Sequence, residues 1–196
     1  MGIENTHKLI VNCLPLNEGE RRAFVPQEFV GDEAHRGDMV WSAAVPEELR
    51  SRATAVIGNF PVSQASQYTR LEWLQTFSAG VDAYICPGVL PRGTMVTNAS
   101  GAYGQSVSEH LFATMWALMK NLNRYASNQR DHQWQDEGPV LSPEGGIALI
   151  IGVGDIGSHF AQLAQSVGMR TFGVRRHADV PAKGIEKMYG FERLET

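Results

Sequence analysis

Cysteine is scarce in this chain: Cys13 and Cys86 are the only two among 196 residues. Two thiols in separate apolar segments are too few for a disulfide framework or a cysteine-based metal site, and both are read as buried. Long hydrophobic runs are missing as well. No stretch approaches the roughly 20 apolar residues needed to cross a bilayer. The opening MGIENTHKLIVNCL also lacks the basic region and long apolar region of a signal peptide. The expected setting is therefore cytoplasmic, with no membrane partner. Positive charge is not in excess either. Seventeen Lys and Arg stand against 21 Asp and Glu, a net charge of -4 that repels phosphate backbones, so nucleic acid is not an expected partner. Two short patterns are set aside as chance matches: Met1-Gly2 with Thr6, which fits N-myristoylation, and Asn98-Ala99-Ser100, which fits N-glycosylation.

What is present is an ordinary globular composition, 43% hydrophobic and 19% charged with 20 Gly and 9 Pro, enough to bury a core. The length allows one large domain or two small ones. Short apolar runs rich in β-branched residues recur at residues 8–14, 39–42, 53–60, 71–77 and 94–97, and read as buried strands. Helix-like or turn-like pieces separate them, such as Pro46-Glu47-Glu48-Leu49-Arg50, where a proline and two acids suit a helix N-terminus. Strands alternating with short helices imply a parallel α/β layer.

The pattern changes at Gln105. Val107, Leu111, Met115, Leu118 and Leu122 recur at helical spacing, with Phe112, Trp116 and Met119 beside them, so residues 105–122 read as a long helix apolar over much of its girth. Ser106 and Glu109 have the spacing of a capping box at its start. From Asn121 to Gly146 the chain is polar and broken by Pro139, Pro143 and Gly145-Gly146, which predicts a loop-like connector. The expected domains are residues 1–104 and 105–196.

The segment GIALIIGVGDIGSHFAQLAQSVGMRTFGVRR carries the most chemistry. Ile147–Ile151 reads as a strand, Gly152-Val153-Gly154-Asp155-Ile156-Gly157 as a glycine turn, and the stripe Ile156, Phe160, Leu163, Ala164 and Val167 as a helix closed by Gly168. Thr171–Val174 reads as the next strand, which completes a β-α-β unit. In such a turn the first glycine allows the bend, the second lets backbone approach a pyrophosphate, and the third lets helix pack on strand. The helix N-terminus then offers unpaired N–H groups to the phosphates. Gly152, Gly154, Asp155, Ile156 and Gly157 are therefore candidate cofactor contacts, the other reading being a purely structural turn. An NAD site places an acid at the end of the second strand to accept from the ribose hydroxyls. Here Arg175 and Arg176 stand there, and guanidinium groups suit a 2′-phosphate, so NADP is favoured over NAD. The competing reading makes both arginines solvated residues beside an NAD site.

Three blocks in order carry a resemblance: Ser78-Ala79-Gly80-Val81-Asp82; Val96 to Gly101 running into Ser106-Val107-Ser108-Glu109-His110; and the glycine turn with its β-α-β unit. The chain resembles the D-isomer-specific 2-hydroxyacid dehydrogenases, which include D-lactate, glyoxylate/hydroxypyruvate, formate and 3-phosphoglycerate dehydrogenases. The resemblance implies a flavodoxin-like substrate lobe joined to the first βαβ half of a Rossmann nucleotide-binding domain. It implies that backbone N–H groups of Ala79 and Gly80 hold the carboxylate of a 2-oxo or 2-hydroxy acid, although a tight turn at a strand end is an alternative. It implies that Val107 lies on the nicotinamide side of the cofactor, and that the 105–122 helix packs against a second copy, although its apolar stripes could equally be covered internally.

The family's reaction is hydride transfer between nicotinamide C4 and substrate C2, using an arginine and a histidine paired with a carboxylate. All three lie beyond the point where this chain ends, so no catalytic residue carries over and the chain alone is expected to be inactive. The histidines His7, His35, His110, His132, His159 and His177 do not match the catalytic position, and no metal-ligand spacing is present. A second reading is a non-catalytic dinucleotide-binding or dimerisation module, and a third is an unrelated Rossmann enzyme.

Overall fold

The computed structural model describes residues 8–24 and 38–194. The Gly2 and Thr6 pattern, His7 and His35 lie outside the described residues. The chain divides into two compact units, Met1–Ser100 and Gly101–Thr196, where the sequence predicts residues 1–104 and 105–196.

In the first unit five short apolar runs become β1 (Leu9–Asn12), β2 (Asp38–Trp41), β3 (Ala55–Ile57), β4 (Trp73–Gln75) and β5 (Met95–Thr97). They pair in parallel in the order β2-β1-β3-β4-β5, the flavodoxin-like order. The register aligns one apolar residue per strand into a row: Val40, Val11, Val56, Leu74 and Val96. Val11, Val56 and Leu74 are fully buried at its centre. Each such side chain contributes about 1.5–3 kcal/mol by leaving water, which is why the central runs are apolar rather than alternating. Phe60 and Tyr68 stack at 4.1 Å beside this row.

The helices of this unit are short: α1 (Glu18–Phe24) and α2 (Glu47–Arg50). The capping box of the molecule lies at α1, where Glu20 N–H donates to Asn17 Oδ1 at 3.0 Å and Asn17 N–H donates to Glu20 Oε2 at 2.7 Å. Pro46 is the residue preceding α2 rather than its first helical residue. Cys13 is buried as expected, but Cys86 is exposed. The latter lies in a succession of turns after β4, with no strand or helix to turn it inward, and its Sγ reaches Asp82 O at 3.3 Å.

The second unit opens with α3 (Gly104–Met119) and continues through α4 (Leu122–Arg130), β6 (Ile147–Ile151), α5 (Asp155–Ser166), β7 (Arg170–Val174) and β8 (Lys187–Tyr189). The three strands are parallel in the order β6-β7-β8, and β8 is one strand more than the sequence reading located. The predicted capping box at Ser106 is not formed. Ser106 lies inside α3, whose N-cap is Tyr103, and Glu109 instead accepts from Gln105 Nε2 at 2.9 Å. The helix starts earlier because Gly104 packs on α5: a Cβ there would collide with Asp155 Oδ1 and stand 2.5 Å from His159 Nδ1.

The connector is less loop-like than its composition predicts. Asn121 takes the left-handed conformation, φ 52°, which ends α3 and lets α4 begin at once. In α5 the fully buried stripe is Gly157, Ala161 and Ala164, while Ile156 remains 37% exposed. Small residues face the sheet because the helix lies close to it, and the larger Phe160 meets Phe112 of α3 at 6.5 Å. Gly168, φ 82°, follows α5 as the expected left-handed cap. Among the described residues no helix is long and apolar enough to cross a membrane.

Candidate functional site

The glycine turn joins β6 to α5. Gly152 has φ 93°, a conformation that L side chains rarely adopt, and its N–H donates to Val174 O at 2.8 Å, tying the turn to the end of β7. Gly157 is required for contact: a Cβ on it would stand 2.6 Å from Gly152 O and 3.2 Å from Ile150 Cγ2. Gly154 is different, because a Cβ there would meet nothing within 4 Å. It forms the N-cap of α5 without any side-chain capping bond, and the first intrahelical donor of α5 is Ser158 N–H, to Gly154 O at 3.0 Å. The N–H groups of Asp155, Ile156 and Gly157 therefore lie at an uncapped helix start beside open space. This donor set, with the positive end of the helix dipole, fits a pyrophosphate.

The turn forms one wall of a cleft of about 470 Å³, whose other walls include Arg175, Pro181 and Lys183. Asp155 and His159 also face it; His159 Nδ1 lies 2.9 Å from Asp155 O and 3.4 Å from Asp155 Oδ1. Arg175 leaves β7 at the expected position, but its guanidinium is engaged with backbone. Nε donates to His177 O at 2.9 Å, Nη1 to Val153 O at 3.2 Å, and Nη2 to Val180 O. Arg176 is exposed and does not line the cleft, and neither does Val107, on the first turns of α3.

The first unit holds the other predicted residues. Ser78, Ala79 and Gly80 follow the carboxyl end of β4, where ligands bind in open parallel sheets. Two asparagines, each just beyond the end of a neighbouring strand, brace this turn. Asn59 Nδ2 donates to Ser78 Oγ at 2.9 Å while its Oδ1 accepts from Phe77 N–H at 3.1 Å, and Asn98 Nδ2 donates to Ala79 O at 2.7 Å. Ser78 Oγ donates in turn to Gly80 O at 3.0 Å, and Ala99 N–H to Ser78 O at 3.2 Å. Carbonyls and side chains of the turn are thus used, whereas the backbone N–H groups of Ala79 and Gly80 donate to no acceptor among the described residues. Exposed amides with their carbonyls tied back suit a carboxylate.

Sequence reasoning missed Asn59 and Asn98 as braces and Lys183 as a wall of the cleft. The signal for the first two is the recurrence of Asn directly after a strand-forming run, in VIGNF and VTNAS. Among the described residues no group of three or more His, Cys, Asp or Glu is arranged to hold a metal ion.

Comparison with known proteins agrees with this geometry. Residues 112–196 match the family model described as D-isomer specific 2-hydroxyacid dehydrogenase, NAD binding domain. D-3-phosphoglycerate dehydrogenase of Bacillus subtilis is 30% identical over 105 residues, 53% of this chain and 20% of that protein. A solved D-isomer specific 2-hydroxyacid dehydrogenase family protein from Aeromonas salmonicida superposes with a TM-score of 0.78 at 24% identity, covering 96% of this chain and 59% of the other. D-lactate dehydrogenase from Aquifex aeolicus, solved with NAD and lactic acid, superposes with a TM-score of 0.68 at 19% identity, covering 93% and 55%. The chain spans less than half the length of the curated relatives it matches. Residues 112–196 are thus similar to the NAD binding domain of the D-isomer specific 2-hydroxyacid dehydrogenases, and the chain has the fold of that family's solved members.

Proposed function

We propose that this chain supplies the dinucleotide site and the carboxylate-binding turn of a nicotinamide-dependent oxidoreductase of 2-hydroxy and 2-oxo acids, working in the cytoplasm with NADP preferred over NAD. The observation that carries the reading is the uncapped start of α5 beside Gly154, where backbone donors meet open space. The cofactor, when bound, exchanges a hydride at nicotinamide C4. The residues of this chain bind and orient: Asp155, Ile156 and Gly157 offer N–H groups to the pyrophosphate, Val107 lies toward the nicotinamide, cationic side chains around the cleft favour a 2′-phosphate, and Ala79 and Gly80 hold the substrate carboxylate. In this proposal residues 1–104 are the substrate lobe and residues 105–196 belong to the nucleotide domain.

The 196-residue polypeptide by itself binds without turnover. A His–carboxylate pair among the described residues, His159 with Asp155, is at the start of α5, where this proposal puts the pyrophosphate. The same observation favours a second reading, a binding or dimerisation module, with α3 as the contact between copies; Leu111 and Leu118 on α3 are exposed at 44% and 65%.

Gly154→Ala tests the dinucleotide site. Its φ is negative at -106° and its Cβ meets nothing, so the variant is expected to fold, with a melting temperature lowered by a few degrees at most for the ψ of -144°. The added methyl occupies the approach of the pyrophosphate, and NADPH affinity, read by fluorescence titration, is expected to fall about tenfold or more, the loss of roughly one charge-assisted hydrogen bond. Unchanged affinity in the folded variant sinks the assignment.

A further inference from the structure

We infer that Lys183, rather than Arg175, reads the 2′-phosphate of the dinucleotide. The inference rests on the proposal that the cleft at the glycine turn holds NADP, and it names the side chain that makes the choice. Arg175 stands at the expected sequence position, but its guanidinium donates to three backbone carbonyls, those of Val153, His177 and Val180. These bonds tie the glycine turn to the loop after β7. To clasp a phosphate with the planar fork, Arg175 would have to release the carbonyls of Val153 and Val180, which have no other donor among the described residues. Arg175 is a clamp that shapes the cleft.

Lys183 lines the same cleft and its ammonium has no partner among the described residues. Its backbone is held from both sides. Ala182 packs against the core of Ile150, Val153 and Ala161. Gly184 presses on α5, where a Cβ would stand 2.6 Å from Gln162 N, and its carbonyl accepts from Thr171 Oγ1 at 2.7 Å. The lysine stem therefore leaves a fixed point on the cleft wall. A compact ammonium with rotatable donors binds a phosphate as a point charge and needs no planar approach. Asp155, the carboxylate in the same cleft, has His159 Nδ1 3.4 Å from its Oδ1.

The test is a calorimetric titration of the whole chain with 2′,5′-ADP and with 5′-AMP, which differ only by the 2′-phosphate. The wild-type chain is expected to bind 2′,5′-ADP about tenfold or more tightly than 5′-AMP. In Lys183→Met that preference is expected to fall to about twofold or less, with 5′-AMP affinity and melting temperature unchanged. In Arg175→Met the melting temperature is expected to drop, because the loop clamp is lost, and a preference that survives in the folded fraction supports the assignment. A preference intact in Lys183→Met and absent in a folded Arg175→Met overturns the assignment to Lys183 while leaving the NADP reading standing. A wild-type chain that binds both nucleotides equally overturns the NADP reading and the assignment with it, and one that binds neither overturns the dinucleotide site itself.

Discussion

Tyr68 shows how a single buried hydroxyl links the core to pH. It is 0% exposed, stacks on Phe60, and its hydroxyl has no hydrogen-bond partner among the described residues. Burial is the main reason its pKa is pushed up to about 12, with Arg50 pulling the other way. The sign follows directly. The unfolded chain ionises this tyrosine near about pH 10 while the folded chain still holds the proton, so the contribution is intact below that value. Stability is lost as pH rises toward about 12, by on the order of 2–3 kcal/mol in full. Tyr68→Phe is expected to be neutral or slightly stabilising at neutral pH and to remove part of the alkaline loss, as measured by urea unfolding at neutral pH and near about pH 11. An identical alkaline loss in the variant would falsify this account. Residue types that act through their backbone were the most legible in the sequence, as Gly152 and Gly157 illustrate. The braces Asn59 and Asn98 were not, because their partners lie 18 and 19 residues away and pairing at that range depends on strand order.

At the level of elements, regular runs were readable and their ends were not. Four of the five strands of the first sheet lie within the apolar runs that predict them and β2 starts one residue before its run, because a buried parallel sheet leaves its strands little choice of side chain. The start of α3 was misread because Ser106 and Glu109 have the right spacing inside a helix as well as at its cap. The boundary is set by the packing of Gly104 on α5, a contact across some fifty residues that no local pattern records. The helix α4 was missed for the opposite reason: LNRYASNQR is polar on most sides, and the left-handed Asn121 before it reads as a loop residue. That residue gives a clean test. Asn121→Gly is expected to hold or slightly raise stability, since glycine adopts φ 52° at no steric cost. Asn121→Val is expected to cost about 1–2 kcal/mol in denaturant unfolding, because a β-branched residue is strained there. Equal stabilities for the two variants would remove the left-handed residue as the joint between the helices.

The described residues form two parallel sheets of five and three strands, one in each compact unit. The β-α-β unit and the flavodoxin-like layer were both legible from strand spacing, whereas β8 was not, its KMY core being too short and too polar to stand out. The two sheets are not equally covered. Ile147, Leu149 and Ile151 leave one face of β6 exposed at 62%, 56% and 61%, an apolar strip on the 196-residue polypeptide. Such strips bind hydrophobic dyes and promote association. Leu149→Glu is expected to lower dye fluorescence and concentration-dependent light scattering by about half while leaving the melting temperature within a few degrees, since the side chain is more than half exposed. Unchanged dye binding would show that the strip is covered in solution.

The same strand has a consequence for how the second sheet finds its alignment. Ile147–Ile151 is apolar on both faces, so polarity alone does not distinguish the native pairing from one slipped by a single residue. What distinguishes them is the turn that follows. Gly152 N–H reaches Val174 O when Ile151 stands opposite Val174. A slip by one residue would break that bond. Gly152 therefore also acts as a register lock, and a substitution there is felt along the whole strand before any ligand arrives.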